Sequence, residues 1–293
     1  MNSLNRPLRA RSAVPAALLR AMQWKLLLLW ILASLGCALI ATLPAWNWLG
    51  SVLDHSVLAD AIARGQAQMR LIDALMSTGS PLPTLAVNVR VAAVLMLFLS
   101  PLLVGATVVA ARSPLRLRFG ELLVGGLGQY WPLFRLLLWS ILPLGAAVML
   151  GSVLFGMGSK VNEHAILASS VSHWNDAAMI VGAVLLVLAH ASVEAGRGWM
   201  AADINLRSAI KAWWRGASLL CKRPVAVLSA YLLPWLLTGL VAVALLALRQ
   251  HLGTGLLLGM LLSCLISAAL AWGKVARLFA LRALADDRRQ ARG

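Results

Sequence analysis

The chain has 293 residues, 61% of them apolar and only 12% Asp, Glu, Lys or Arg, about half the charged share of a soluble domain. This excludes a soluble globular domain and a disordered chain, and the three scattered cysteines, Cys37, Cys221 and Cys264, exclude a disulfide framework or a four-ligand zinc site. Twenty-six basic residues against ten acidic give a net charge of +16; in a soluble chain that excess points to nucleic acid, but here the charges lie between long apolar runs, so membrane orientation accounts for them and no nucleic-acid partner is expected.

A bilayer core of about 30 Å needs roughly 20 mostly apolar residues in helical form. Residues 8–25 precede the first such run as a weak amphipathic stretch, with Pro15 near a helix start. Span 1 is 26–44 (LLLLWILASLGCALIATLP). It is longer than a signal-peptide core and no A-x-A site follows it, so it reads as an uncleaved anchor. Ser34-Leu35-Gly36-Cys37 departs from a lipoprotein box in residue order, and apolar sequence continues past the cysteine.

Residues 45–90 form the one sizeable extramembrane loop. Within it Leu58, Ile62, Met69, Ile72 and Met76 suit one face of an amphipathic helix capped by Ser56, lying on the outer leaflet or over the bundle mouth. Trp46 and Trp48, with Trp174 farther on, suit the interfacial aromatic belt. Span 2 is 91–111, with Pro101 inside it.

An interfacial stretch at 118–135 (RFGELLVGGLGQYWPLFR) places Phe119, Leu123, Leu127, Tyr130 and Phe134 at helical spacing, although Gly125, Gly126 and Gly128 weaken it as a helix. Span 3 is 136–157 and span 4 is 177–195. The clearest interfacial helix follows at 205–223: Leu206, Ile210, Trp213, Ala217 and Leu220 share one face, and Arg207, Lys211 and Arg215 share another, suited to anionic lipid headgroups. Spans 5 and 6 are 225–248 and 252–272, and 276–293 is read as a basic cytoplasmic tail. The whole thus reads as three units, each an interfacial helix followed by a two-span hairpin. Pro143 and Pro234 stand at matching places in the second and third units and should bend their spans. In span 6 Gly255, Gly259, Ser263, Ser267 and Ala271 repeat every four residues, a seam either for packing inside the bundle or for a homo-oligomer.

Twenty-one of the 26 basic residues fall in the amino-terminal flank, the loops after spans 2 and 4, and the tail. By the positive-inside rule those segments are cytoplasmic, and so are both termini.

Chemistry is sparse. The chain has no phosphate-binding loop, H-E-x-x-H, G-x-S-x-G or Cys-x-x-Cys, so neither a cofactor nor a metal is expected. Asp54, His55, Asp60, Asp73, Glu163, His164, His173 and Asp176 are dispersed over the outer loops and read as solvated; of these, Glu163-His164 and His173-x-x-Asp176 have spacing compatible with a cation. The sharper candidate is the end of span 4, where His190 and Glu194 are one turn apart with Ser192 and Arg197 nearby. Ionisable residues within a span are costly enough to suggest function. They would serve as a proton relay or polar contact, or else as a structural tie in which Glu194 pairs with Arg197.

The segments LRSAIKAWWRGASLLCKRPVAVLSAYLLP and LRLRFGELLVGGLGQYWPLFRLLLWSILPL resemble a broad group of uncharacterised bacterial multi-pass inner-membrane proteins, in which a basic, tryptophan-bearing helix precedes each hairpin. They are distantly similar to the membrane domain of some glycerophosphoryl diester phosphodiesterases. The resemblance implies a helical fold in the bacterial inner membrane. It carries over no catalytic residue, and the hydrolytic domain of those enzymes has no counterpart here.

The sequence therefore reads as an all-α, six-span helical bundle of the bacterial inner membrane. The expected role is that of a non-enzymatic accessory or lipid-interacting component of envelope maintenance, with anionic lipid or another membrane protein as partner. The alternative is a small-solute or proton-coupled transporter, flexing at Pro101, Pro143 and Pro234 around His190 and Glu194.

Overall fold

A computed structural model describes residues 13–54, 56–57, 59–63, 68–77, 80–162, 168–251 and 256–291. Among these the regular structure is helical throughout: α1 (Ala13–Arg20), α2 (Trp24–Leu53), α3 (Ala59–Ala63), α4 (Gln68–Met76), α5 (Leu82–Arg112), α6 (Phe119–Gly128), α7 (Tyr130–Asn162), α8 (Ala168–Ala202), α9 (Ala209–Lys222), α10 (Pro224–His251) and α11 (Leu256–Gln290). Six of them, α2, α5, α7, α8, α10 and α11, are long and apolar enough to cross a membrane. The protein is an all-α polytopic bundle.

The helices outrun the expected spans. At 28 to 35 residues each, they are some 8–15 residues longer than a bilayer core demands. Helix α2 continues through Pro44 to Leu53, and α5 starts at Leu82, so much of the expected 45–90 loop is helical extension. Trp46 and Trp48 belong to α2. A proline late in an apolar helix is tolerated because neighbouring groups re-satisfy the freed carbonyl. Between them, the expected amphipathic helix is described as two pieces, α3 and α4. Leu58 and residues 64–67 lie outside the described residues.

The largest departure is the supposed tail. Residues 276–290 are the last turns of α11, and Val275, Ala276, Ala280, Leu281, Leu284 and Ala285 are at most 1% exposed. The hydropathy run stops at Lys274, but apolar residues keep recurring at three- and four-residue steps beyond it, so the helix continues with one buried face.

Three antiparallel hairpins, α2/α5, α7/α8 and α10/α11, make up the bundle, and α11 joins them by packing on both α8 and α2. Three short helices, α1, α6 and α9, lie at the arginine-rich end. Each rests on the last helix of the preceding hairpin: α6 on α5, α9 on α8, and α1, closing the circuit, on α11.

Small residues make these crossings close. A Cβ on Gly105 would sit 2.6 Å from the Gly126 carbonyl, and one on Gly216 would collide with the Gly196 backbone nitrogen. Of the α6 glycines expected to weaken that segment, Gly125 and Gly126 are where α5 and α6 touch, whereas a Cβ on Gly128 would meet nothing within 4 Å. On the first of the short helices the buried small residues are Ala17 and Ala21, the latter just past its end. At the start of α6 the Glu121 carboxylate accepts from the Arg118 amide at 2.6 Å. The α8 carboxyl end is covered by Arg112, which donates to the Met200 and Ala201 carbonyls, and by Arg289, which donates to that of Ala202. Cations there also oppose the negative end of the helix dipole.

Helix α9 forms where expected, with Ser208 accepting from the Lys211 amide, but its buried face is rotated. Ala209, Ala212, Gly216, Leu219 and Leu220 are buried, while Ile210 is 54% and Trp214 67% exposed. Small residues win the protein-facing side because close approach to α8 gains more contacts than a bulky apolar row held at a distance. In span 6, Gly259 and Ser263 face Arg249 of α10, whose Nη1 donates to Ser263 Oγ at 3.3 Å. That part of the small-residue stripe packs within the hairpin, and Gly255 lies outside the described residues.

Candidate functional site

Helix α8 carries His190, Glu194 and Arg197 on one face at four- and three-residue steps. The helix runs on past residue 195 through Ala195-Gly196-Arg197-Gly198, and the two glycines admit neighbours on separate sides. A Cβ on Gly196 would meet α9 backbone at 3.2 Å, and one on Gly198 would meet Leu281 of α11 at 2.9 Å. With α9 and α11 both drawn in, Glu194 is 3% exposed.

A buried carboxylate must be paired. Glu194 Oε1 accepts from Arg197 Nη1 at 2.6 Å and from Arg277 Nη2, on α11, at 3.0 Å. His190 Nε2 lies 3.8 Å from the same oxygen, beyond hydrogen-bonding reach. The other ring nitrogen, Nδ1, shares a 2.8 Å hydrogen bond with Tyr231 Oη on α10. The Arg277 guanidinium lies over the Tyr231 ring, 5.1 Å from its centre. Lys274, one turn before Arg277, holds its Nζ 5.0 Å from the centre of the Trp30 ring. Trp30 is itself fixed by donating from Nε1 to Thr107 Oγ1 at 3.2 Å.

All of these groups but Tyr231 line a cavity of about 450 Å³ between α2, α5, α8 and α11. Its polar wall is His190, Glu194, Arg197, Lys274 and Arg277; its apolar wall is mainly Met96, Leu97 and Val104 of α5. Three cations face one carboxylate. A net positive recess with an apolar flank suits an anion that carries a hydrocarbon part. Both guanidinium contacts of Glu194 fall on the same carboxylate oxygen, Oε1.

Of the four residues singled out in span 4, the fold brings together His190, Glu194 and Arg197. Ser192 is turned away: its hydroxyl donates to the Ala189 carbonyl at 2.7 Å and accepts from Trp213 Nε1 of α9 at 3.0 Å. Two residues beyond His190, it is rotated by about 200° on the helix, so sequence proximity does not make it a neighbour. Sequence reasoning missed Trp30, Thr107, Tyr231, Lys274 and Arg277. The available signal was Lys274-x-x-Arg277, two cations on one face directly after an apolar run, which reads equally well as an ordinary cytoplasmic flank.

Of the expected headgroup contacts, Arg207 and Lys211 are exposed. Arg215 is instead engaged within the protein, donating to Asp203 Oδ2 at 2.9 Å and lying 5.6 Å from the Trp199 ring centre. Among the described residues no group of three or more His, Cys, Asp or Glu side chains comes together. His55, Glu163 and His164 lie outside the described residues. No family model, curated protein or solved structure matches the chain, so the resemblance stated above rests on the two quoted segments.

Proposed function

We propose that this chain is a non-enzymatic integral protein of the bacterial inner membrane that holds an anionic lipid or a similar amphiphile in the α2/α5/α8/α11 cavity, as an accessory component of envelope maintenance. The observation that carries the reading is the charge imbalance in a partly apolar recess, with Arg197, Lys274 and Arg277 opposed by Glu194 alone. Uncompensated cations in a low-dielectric site favour an anion strongly, and the α5 wall supplies contact for an acyl chain. The distribution of Lys and Arg supports a cytoplasmic side for the basic end and both termini, and with it a cavity near the inner leaflet.

The test is to purify the full chain in mild detergent and quantify the phospholipid that accompanies it. Anionic phospholipid should be enriched over the membrane average, and Lys274→Gln, which leaves the Glu194 ion pairs intact, should cut that enrichment several-fold. Enrichment unchanged by Lys274→Gln overturns the reading. Reporter fusions should place the carboxyl end in the cytoplasm.

A proton-coupled transporter is the second reading, favoured by the His190–Tyr231 hydrogen bond at the cavity wall. In that case His190→Asn would abolish proton-coupled flux at normal expression; a fully active variant removes the relay.

A further inference from the structure

The described residues enclose a second, larger recess that the lipid reading leaves unused. A cleft of about 710 Å³ lies between α1, the end of α5, the connection into α6, and α11, within the range of small-molecule sites. Its charged lining converges from four stretches of chain: Arg20 at the end of α1, Arg112 at the end of α5, Arg116 in the connection and Arg282 on α11, against one carboxylate, Asp286.

Arg112 also caps the α8 carbonyls, which fixes the guanidinium at the cleft wall. Arg282 Nε is buried without a hydrogen-bond acceptor, although it lies 3.3 Å from Asp286 Oδ2 as an ion pair. A buried N–H whose one close carboxylate makes an ion pair but no hydrogen bond is costly, and a further acceptor oxygen there would be favourable. Arg282 is also more than 25 residues along α11 from its first residue, Leu256. That is roughly 40 Å of helix, against a hydrocarbon core of about 30 Å, so the cleft opens beyond the acyl region.

We infer that this cleft binds a phosphate-bearing anion. Even with Arg20 set aside, Arg112, Arg116 and Arg282 against Asp286 leave an excess of two positive charges, which a single carboxylate ligand would not balance. A phosphate or diphosphate group offers both the charge and several oxygens to planar guanidinium forks. The phosphate belongs either to a water-soluble compound or to a lipid headgroup reaching down from the leaflet.

The probe is inorganic pyrophosphate, titrated into the full chain in detergent by calorimetry. A parallel arm compares nanodiscs containing phosphatidic acid with nanodiscs of phosphatidylcholine alone, read as the thermal midpoint of the protein. A soluble ligand source predicts pyrophosphate binding, weakened at least tenfold by Arg116→Gln or Arg282→Gln and unchanged by Lys274→Gln. A lipid source predicts no pyrophosphate binding but a rise in midpoint with phosphatidic acid, lost in the same two variants and kept in Lys274→Gln. Arg116 is exposed, so its substitution reads out binding even if Arg282→Gln folds poorly. Absence of both responses, or responses indifferent to Arg116→Gln, overturns the inference.

Discussion

The two ends of this bundle are built differently. At the basic end α1, α6 and α9 wedge against the long helices, and the fully buried large side chains are found there: Leu26, Leu122, Leu136, Val227, Leu281 and Leu284. Toward the opposite end the same long helices expose Leu39, Phe98, Ile141, Met149, Ile180, Leu240 and Leu257. Lipid is as apolar as leucine, so burying leucine against leucine inside a membrane gains little, and helices meet there through small residues and polar ties. Where the helices emerge toward water, apolar burial becomes favourable again. The tightly packed part, with both recesses, is accordingly at the basic end.

The largest expected effect comes from the buried tie. Glu194→Ala leaves Arg197 and Arg277 without their shared acceptor and should destabilise by about 3–5 kcal/mol, as for other broken buried ion pairs, read as a fall in thermal midpoint in detergent. A midpoint close to that of the parent chain would show that the tie is not structural. Next is a pair of glycine substitutions that sets the two ends against each other. Gly216→Leu at the α8–α9 crossing should cost about 1–3 kcal/mol or more by overpacking, while Gly239→Leu on α10, where a Cβ meets nothing within 4 Å, should leave the midpoint almost unchanged. Equal losses would mean that the opposite end is packed as closely as the basic end. Arg223→Ala removes a half-exposed ion pair, Arg223 Nη1 to Asp287 Oδ2 at 2.6 Å, and should cost no more than about 1 kcal/mol, less in high salt. The smallest effect on stability should be that of Arg207→Gln with Lys211→Gln, which removes two exposed cations from the basic end. Stability should not change, but binding of the purified chain to anionic vesicles should weaken by about 1 kcal/mol per charge.

How much of this was legible depends on which forces leave a local trace. Apolar runs announce spans because a bilayer demands length and backbone closure from each segment alone, so all six were readable, as was α9 from its basic and apolar spacing. His190, Glu194 and Arg197 were readable as one helical face. The buried continuation of α11 was not, because Lys274, Arg277 and Arg282 lower its hydropathy to that of an ordinary flank. Nor was the rotation of α9, since Ala212 and Gly216 look like the weakest apolar positions until α8 is placed against them.

By itself, then, the order of residues determined that this is a membrane bundle of three hairpins, with its charge gathered at one end. Tertiary structure alone decided that α1 closes on α11, that Arg277 and Tyr231 reach the span 4 pair, and that Ser192 leaves it. Hydropathy and helical period are properties of a segment, whereas these pairings depend on close approach at glycine and alanine contacts more than a hundred residues apart in some cases, for which no single stretch of chain carries a signal.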